Sequence, residues 1–161
     1  MILLGIRPED AEPEYGWIEP GEPIVGAVRR VRHFWEKPGP RLAETLLQRG
    51  CLWNSFVMVG GVPVLTSLIR AALPDLLGAF APLLAAMGKA SEGAAAEAVY
   101  ADLPAVSFSE AVLACRPANL AVLPVRAVEW SDWGLPERVL ATLARLGMEP
   151  EWAERPLARP A

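Results

Sequence analysis

Apolar positions along the chain fall into two kinds of pattern. Short apolar runs bounded by proline or glycine predict strands, and segments with apolar residues three and four positions apart predict helices. The predicted strands are Ile2–Ile6, Tyr15–Glu19, Ile24–Trp35, Leu52–Val59 and Leu120–Val125. The predicted helices are Pro40–Gln48, Val62–Ala72, Asp75–Met87, Ser91–Leu103, the short segment Ser109–Cys115, and Pro136–Leu146.

The order of these elements predicts an α/β fold with a mixed, partly open sheet flanked by helices. A length of 161 residues suits one domain. We assign that domain to residues 1–148 and a C-terminal tail to residues 149–161. Because the chain begins in an apolar strand, we expect Ile2–Ile6 to lie at an exposed sheet edge, and unpaired edges invite pairing with another chain. The sequence therefore predicts a homo-oligomer or a partner chain, and the alternative is that the helices from Val62 to Leu103 fold back over the exposed face.

Composition narrows the classes of function. Hydrophobic residues make up 53% of the chain and the formal net charge is −4, which argues against a nucleic-acid partner because such proteins carry a basic patch. The two cysteines have no histidine or second cysteine at metal-ligand spacing, so a zinc site is not expected. No secretory signal opens the chain, and the longest apolar run is too short to cross a bilayer. These observations predict a cytoplasmic protein with no membrane partner.

Polar side chains stand at the ends of two predicted strands. Glu36 and Lys37 follow one strand, and Asn54 lies near the start of the next. Polar groups clustered at strand ends beside aromatic residues are typical of a small-ligand pocket. The alternative is that Glu36 and Lys37 form a solvated turn and Asn54 caps one. Gly16 has two interpretations as well: it lets a ligand approach the backbone, or it relieves crowding in a twisted strand.

Five short segments occur in the order found in sugar-phosphate nucleotidyltransferases, and the chain is most similar to the later, sugar-phosphate-binding part of mannose-1-phosphate guanylyltransferases. This resemblance implies part of a Rossmann-like nucleotide-diphospho-sugar transferase domain. The segments are Leu3-Leu4-Gly5-Ile6-Arg7-Pro8, Pro13-Glu14-Tyr15-Gly16-Trp17-Ile18-Glu19, Glu36-Lys37-Pro38, Trp53-Asn54-Ser55 and Trp130-Ser131-Asp132-Trp133-Gly134.

The resemblance implies nucleotidyl transfer to a sugar 1-phosphate. In that family the sugar-phosphate oxygen attacks the α-phosphate of a nucleotide and releases pyrophosphate, chemistry that depends on metal ions and positive charge. Lys37 would contact the sugar phosphate, Glu36 and Asn54 would bind sugar hydroxyls, and the Gly16 backbone would line the same pocket.

The resemblance also implies a magnesium ion. Asp132 would be one of two carboxylates that hold Mg²⁺, a hard cation that needs few protein ligands beside phosphate oxygens. A different interpretation of Asp132 is an N-cap near Pro136.

Several family features have no counterpart in this sequence. The glycine-rich loop, the Lys-Pro motif of the nucleotide side and the second metal carboxylate are not matched, so we expect the chain to be inactive alone. Phe56 replaces a glycine of the family, and Ser109, or Glu110 with a shift of one position, stands where the family carries an aspartate. The alternatives are a non-catalytic protein that binds a sugar phosphate or a partner, and a remnant without activity.

Overall fold

The computed structural model describes residues 1–148 and Trp152. Apart from Trp152, the predicted tail over 149–161 lies outside the described residues. Contacts divide the chain into two compact units, Met1–Arg126 and Ala127–Ala161. The assignment of a single domain to residues 1–148 stays a prediction.

Five strands of the first unit form one mixed sheet. They follow the spatial order β1-β4-β2-β3-β5, and β5 pairs in parallel with β1, so the sheet closes on itself. The other pairings are antiparallel. The strands are β1 (Ile2–Ile6), β2 (Trp17–Val25), β3 (Val28–Trp35), β4 (Leu52–Val59) and β5 (Ala121–Val125).

The prediction of a partly open sheet is therefore wrong, although the sheet is mixed as expected. An apolar run shows that a strand is buried, but it does not show which strands are its neighbours. In the structure β1 lies between β4 and β5, so both of its edges are paired. The first strand therefore does not form the exposed edge that was expected. The oligomer or partner chain inferred from that edge stays a prediction, and it would have to use another surface.

The second and third strands form a long hairpin whose turn was placed wrongly by the sequence pattern. Pro20-Gly21 was expected to end the second strand, but β2 continues to Val25 and the chain turns at Gly26, which has a φ of +54°. The register between β2 and β3 shifts at three places around Pro20 and Pro23. These irregularities accommodate prolines, which cannot donate to a regular ladder.

The hydrophobic core of the first unit lies between this sheet and helical residues. Apolar side chains of all five strands pack there against residues of the helix Val62–Ala72 and of the segment Ser109–Ala114, and burial of such side chains is the main favourable term in folding. The buried members are Leu3, Ile18, Val31, Phe34, Leu52, Leu68, Val112, Leu113, Leu120 and Val122.

Most predicted helices are present, with two differences. The segment Asp75–Met87 is two short helices, because Phe80 ends the first and Pro82 stands in the opening turn of the second. The segment Ser109–Cys115 is a π-helix, Ser109–Ala114. The α-helices are α1 (Pro40–Gln48), α2 (Val62–Ala72), α3 (Pro74–Ala79), α4 (Ala81–Ala86), α5 (Glu92–Asp102) and α6 (Pro136–Arg145).

Among the described residues, no single helix is both long enough and apolar enough to cross a membrane. One bent pair, Val62–Ala72 with Pro74–Ala86 at 113°, meets these two conditions by length and composition alone.

Candidate functional site

Three of the residues singled out in the sequence converge in the first unit. A Cβ atom added to Gly16 would lie 3.0 Å from Glu36 Oε2, 3.1 Å from the Phe34 ring and 3.2 Å from Asn54 Cβ. Gly16 immediately precedes β2, Glu36 immediately follows β3, and Asn54 lies in β4. Strand pairing brings these positions together, because Trp17 pairs with both Trp35 and Trp53. A side chain at position 16 would press on Glu36, Phe34 and Asn54, so glycine fits there without displacing them.

Asn54 is held rigidly in this cluster. It is 6% exposed, and its backbone N–H donates to the Gly16 carbonyl at 2.7 Å. Its side-chain Oδ1 accepts a hydrogen bond from the Phe56 backbone N–H at 3.2 Å. That bond orients the amide, so the Nδ2 hydrogens remain as the donors of the Asn54 side chain.

Glu36 is half-buried, and its surroundings disfavour the charged form. Burial raises the pKa of the Glu36 carboxyl, and the nearby Glu110 carboxylate adds to that rise. A hydrogen bond with the Ser109 side chain and the positive charge of Lys37 act in the other direction, and the net result is a pKa above the ordinary value. Carboxyl groups with a raised pKa concentrate at functional sites, although structural networks also produce them.

Lys37 supplies the positive charge beside Glu36. Its side chain is 60% exposed, and its Nζ lies 3.4 Å from Glu14 Oε2. The residue has a φ of +44°, a left-handed conformation that is uncommon for a residue with a Cβ. The interpretation of Glu36 and Lys37 as a solvated turn therefore fits Lys37 but not Glu36, which faces Gly16 and Ser109.

Aromatic side chains border the cluster. The Tyr15 and Trp53 rings meet edge to face with centroids 5.0 Å apart, and the Trp17 ring meets the Trp53 ring in the same way at 6.2 Å. Tyr15, Trp17 and Trp53 are all buried. They fix the two backbone segments that carry Gly16 and Asn54, since edge-to-face aromatic pairs add to the stabilisation from burial.

The two departures from the family pattern lie beside this cluster. Phe56 has a φ of +60°, which explains why glycine suits the position. Its half-exposed ring meets the Phe108 ring edge to face, with the ring centroids 6.4 Å apart. Ser109 is buried and Glu110 is exposed, and both affect the pKa of Glu36. That proximity was not predictable from the sequence, because Glu36 is far from both residues along the chain.

A second polar cluster surrounds Glu19, whose carboxylate contacts Arg49 and lies 2.8 Å from His33 Nδ1. Burial alone would raise the pKa of the Glu19 carboxyl, but His33 and Arg49 outweigh it and lower the pKa. The arrangement joins β2 and β3 to the end of α1. His33 thus has a carboxylate partner within the fold.

Asp132, the predicted metal ligand, belongs to the second unit. Its Oδ1 accepts hydrogen bonds from Arg138 Nη1 at 2.8 Å and from the Gly134 N–H at 3.1 Å. The N-cap of α6 is Leu135, so Asp132 is not the cap residue that was its alternative interpretation. Among the described residues, no three His, Cys, Asp or Glu side chains come together as a set of metal ligands. The Mg²⁺ assignment stays a prediction.

The same unit contains a small cleft of about 140 Å³. The side chains that line it are Glu129, Trp130, Ser131, Trp133, Thr142 and Arg145. Trp133 Nε1 donates to Thr142 Oγ1 at 3.3 Å, which connects the Trp-Ser-Asp-Trp-Gly segment to α6.

Two solved structures resemble this chain. A crystal structure of mannose-1-phosphate geranyltransferase from Thermus thermophilus is 33% identical with a TM-score of 0.63, and the match covers 76% of this chain and 34% of that one. A crystal structure of mannose-6-phosphate isomerase from Helicobacter pylori has 20% identity and a TM-score of 0.66, and the match covers 81% of this chain and 51% of that one. The second likeness concerns the fold alone.

No protein-family model matches the chain, and no curated protein sequence is significantly similar to it. The chain spans about a third of the length of the first structure and about half of the second. The first structure is named for an enzyme of mannose 1-phosphate, so that comparison supports a relationship to sugar-phosphate enzymes. The comparisons do not confirm the closer resemblance to guanylyltransferases or the Rossmann-like description.

Proposed function

We propose that the chain binds a sugar 1-phosphate, and that it corresponds to the sugar-phosphate side of a nucleotidyltransferase of the mannose-1-phosphate guanylyltransferase kind. The observation that carries this proposal is the convergence of Gly16, Glu36 and Asn54 at three neighbouring strand ends. The likeness to a structure named for an enzyme of mannose 1-phosphate supports the ligand class.

The hydrogen-bonding character of the cluster suits a pair of hydroxyl groups. An ionised Glu36 carboxylate only accepts, while the Asn54 amide presents donors because its Oδ1 is already bonded to Phe56 N–H. One sugar hydroxyl would donate to Glu36 and another would accept from Asn54. A glycine at position 16 lets its backbone lie close to both residues, since a Cβ there would stand only 3.0 Å from Glu36 Oε2 and 3.2 Å from Asn54 Cβ.

Lys37 would bind the phosphate group. Its ammonium is 3.4 Å from Glu14 in this structure, a mostly exposed pair that contributes little to stability. Replacement of Glu14 by a phosphate as the partner of Lys37 therefore costs little free energy. A charge-assisted contact to phosphate is about twice as strong as a neutral hydrogen bond. The exposure of Lys37 keeps its amine within reach of solvent and ligand.

Nucleotidyl transfer is the finer part of the proposal. The sequence contains no glycine-rich loop of the family type, so we propose that this chain does not form a nucleotide sugar by itself. By the resemblance Asp132 would contribute one oxygen to Mg²⁺, and the ion would compete with Arg138 for that carboxylate. Synthesis of GDP-mannose by the pure chain, above the level of a Lys37→Ala variant, would contradict this part.

The ligand proposal is tested by titration of mannose-1-phosphate into the isotope-labelled chain, followed by NMR. We expect shifts at Gly16, Glu36 and Asn54, and affinity about tenfold weaker in Lys37→Ala. The chain has one other lysine, Lys89, which bonds the Ala85 carbonyl on α4, so Lys89→Ala is the matched control and should bind like the wild type. Equal responses of the two variants, or no response of the wild type, would overturn the proposal.

Two further ligands identify what is recognised. Mannose without phosphate should shift the NMR signals of Glu36 and Asn54 weakly, and inorganic phosphate should shift those of Lys37 alone.

The alternative function is a non-catalytic protein that binds a partner chain, and Phe56 favours it, because a half-exposed ring stands where the family has glycine. A chain that responds to none of the three small ligands would favour that alternative.

A further inference from the structure

Glu14 faces the amine that the proposed function assigns to a phosphate. Its Oε2 lies 3.4 Å from Lys37 Nζ, and the side chains of Lys37 and Glu14 are 60% and 58% exposed. That separation exceeds the about 2.7–2.9 Å of a strong charge-assisted hydrogen bond, so the ion pair is loose and accessible to a competing anion. A phosphate that reaches Lys37 therefore meets a carboxylate oxygen already beside the ammonium.

The loop that carries Glu14 is anchored on both sides. Trp17 Nε1 donates to the Glu12 carbonyl at 2.9 Å, and Glu12 Oε1 accepts from the Glu14 N–H at 2.9 Å. Trp17 is fully buried, and Tyr15, which follows Glu14, is buried as well. The backbone of Glu14 is thus held by the core while its carboxylate remains exposed and free to rotate.

The backbone that carries Lys37 is also restricted. Its φ of +44° is uncommon for a residue with a Cβ, and the following Pro38 narrows the choice further. Such a conformation persists where the surrounding structure holds it. The ammonium and the Glu14 carboxylate therefore meet from two fixed backbone positions, which leaves only their side chains to be ordered.

We propose that Glu14 is a specificity-determining residue, a tethered anion that a phosphate must displace from Lys37. This inference rests on the proposed function and deepens it, because it adds a residue that controls access to the phosphate contact. Two anions beside one ammonium repel each other, so the carboxylate turns into solvent when the phosphate binds. A group tethered by a short segment competes at a high effective concentration, which a free anion has to exceed.

The competition affects different ligands to different extents. Inorganic phosphate has only Lys37 to bind and loses most from it. A sugar 1-phosphate has hydroxyl contacts to Glu36 and Asn54 as well, and mannose alone does not need Lys37. Glu14 therefore makes recognition depend on both parts of the ligand, the sugar and its phosphate.

The test is NMR titration of the isotope-labelled chain with mannose-1-phosphate, inorganic phosphate and mannose. The proteins are the wild type, Glu14→Gln, Glu14→Ala, Lys37→Ala and the double variant Lys37→Ala/Glu14→Gln. Glu22→Gln is the matched control, because it removes the same charge from an exposed carboxylate of β2 that lies 3.6 Å from Arg32.

We expect both Glu14 variants to bind mannose-1-phosphate and inorganic phosphate about threefold more tightly than the wild type at low ionic strength. The gain should shrink at about 0.5 M salt, which screens exposed charges. Affinity for mannose should not change, Glu22→Gln should bind like the wild type, and Glu14→Gln should give no gain once Lys37 is alanine.

The outcomes separate this inference from the proposed function. Equal affinities of the wild type and both Glu14 variants for mannose-1-phosphate would overturn the role of Glu14, while binding by the wild type would leave the proposed function standing. A gain of the same size in Glu22→Gln, for mannose, or without Lys37 would also overturn it, since competition at Lys37 predicts none of these. Failure of every protein, the Glu14 variants included, to bind mannose-1-phosphate would overturn the proposed function itself.

Discussion

Phe56 combines an unfavourable backbone conformation with a favourable ring contact. Its φ of +60° lies in the left-handed region, which is unfavourable for a residue with a Cβ, and its ring meets the Phe108 ring edge to face. Left-handed conformations cost residues with a Cβ about 1 kcal/mol relative to glycine. Because both Phe56→Gly and Phe56→Ala remove the ring, the difference between their free energies of unfolding isolates the cost of the backbone conformation.

We predict that Phe56→Gly is about 1 kcal/mol more stable than Phe56→Ala in urea unfolding, whatever the loss of the ring costs both. The adjacent strand position provides the control, since Val57 is similarly exposed and has no positive φ. There the order should reverse, with Val57→Gly less stable than Val57→Ala. The same order at both positions would show that Phe56 relaxes out of the left-handed region in solution.

Glu36 should lower stability while it supports binding. Because the pKa of its carboxyl is raised in the folded state, its contribution to stability is complete below the unfolded pKa and is lost as pH rises through the folded pKa. We predict that Glu36→Gln is more stable than the wild type at about pH 7.5, and that this difference disappears toward about pH 4. Glu44→Gln, at an exposed position of α1, is the control that should show no such trend.

Thermal unfolding at several pH values measures this difference, and binding of mannose-1-phosphate measures the cost. A Glu36→Gln variant that is more stable and no longer binds would be typical of a functional site, where ligand contacts are kept at the expense of stability. A variant less stable than the wild type at neutral pH would contradict the raised pKa.

At the scale of elements, the end of α1 is tied to the sheet by one ion cluster. Glu19 is 8% exposed as a side chain and contacts Arg49, the C-cap residue of α1, and His33 of β3. The carboxylate also helps to raise the pKa of the neighbouring Cys51 thiol to about 11, after the larger effect of burial. A buried carboxylate with two such partners is stabilising, because its burial is compensated by charge-assisted hydrogen bonds.

We predict that Glu19→Gln lowers the free energy of unfolding at neutral pH by about 1–3 kcal/mol. Since the pKa of Glu19 is lowered in the folded state, its contribution is present above the unfolded pKa and is lost as pH falls through the folded pKa. The deficit of the variant should therefore shrink in acid. Glu22→Gln, whose exposed carboxylate lies 3.6 Å from Arg32, should have a smaller effect, and an equal effect of the two would contradict this view.

Element positions were largely predictable from periodicity, but their partners were not. The bounds of β1, α1, β4 and α2 agree with the pattern residue for residue, because proline and glycine mark their ends. The closure of the sheet depends on β5, which comes last in the first unit and pairs with the first strand, and no local pattern contains that information. The hairpin turn was misplaced because Pro20 and Pro23 lie within β2 at irregular positions.

The candidate site was likewise predictable from the sequence only in part. Gly16, Glu36 and Asn54 could be named because they stand at strand ends, and the structure places them together. The π-helix that buries Ser109 could not, since its sequence resembles that of an ordinary helix. Asp132 lies in the other unit, and its carboxylate contacts Arg138 of α6.

At the scale of the whole molecule, the closed sheet changes where self-association is expected. Leu3 is fully buried in a strand paired on both sides, so the first strand offers no edge to a second copy. Apolar side chains are exposed instead on the helical segment that follows β4. The exposed members are Val62, Val64, Leu65, Leu84, Met87 and Tyr100.

We predict that the chain self-associates through this helical segment, because exposed apolar side chains in numbers are uncommon on monomers and mark contact sites. Leu84 is 63% exposed, so Leu84→Glu should keep the fold and lower the mass seen by sedimentation. Leu3→Lys should instead abolish folding, since it buries an unpaired charge in the core. A wild type that sediments as a monomer from low to high micromolar concentration, or an assembly that Leu84→Glu leaves intact, would contradict an interface on the helices. A Leu3→Lys variant that folds and merely dissociates would return the interface to the first strand, where the sequence pattern had placed it.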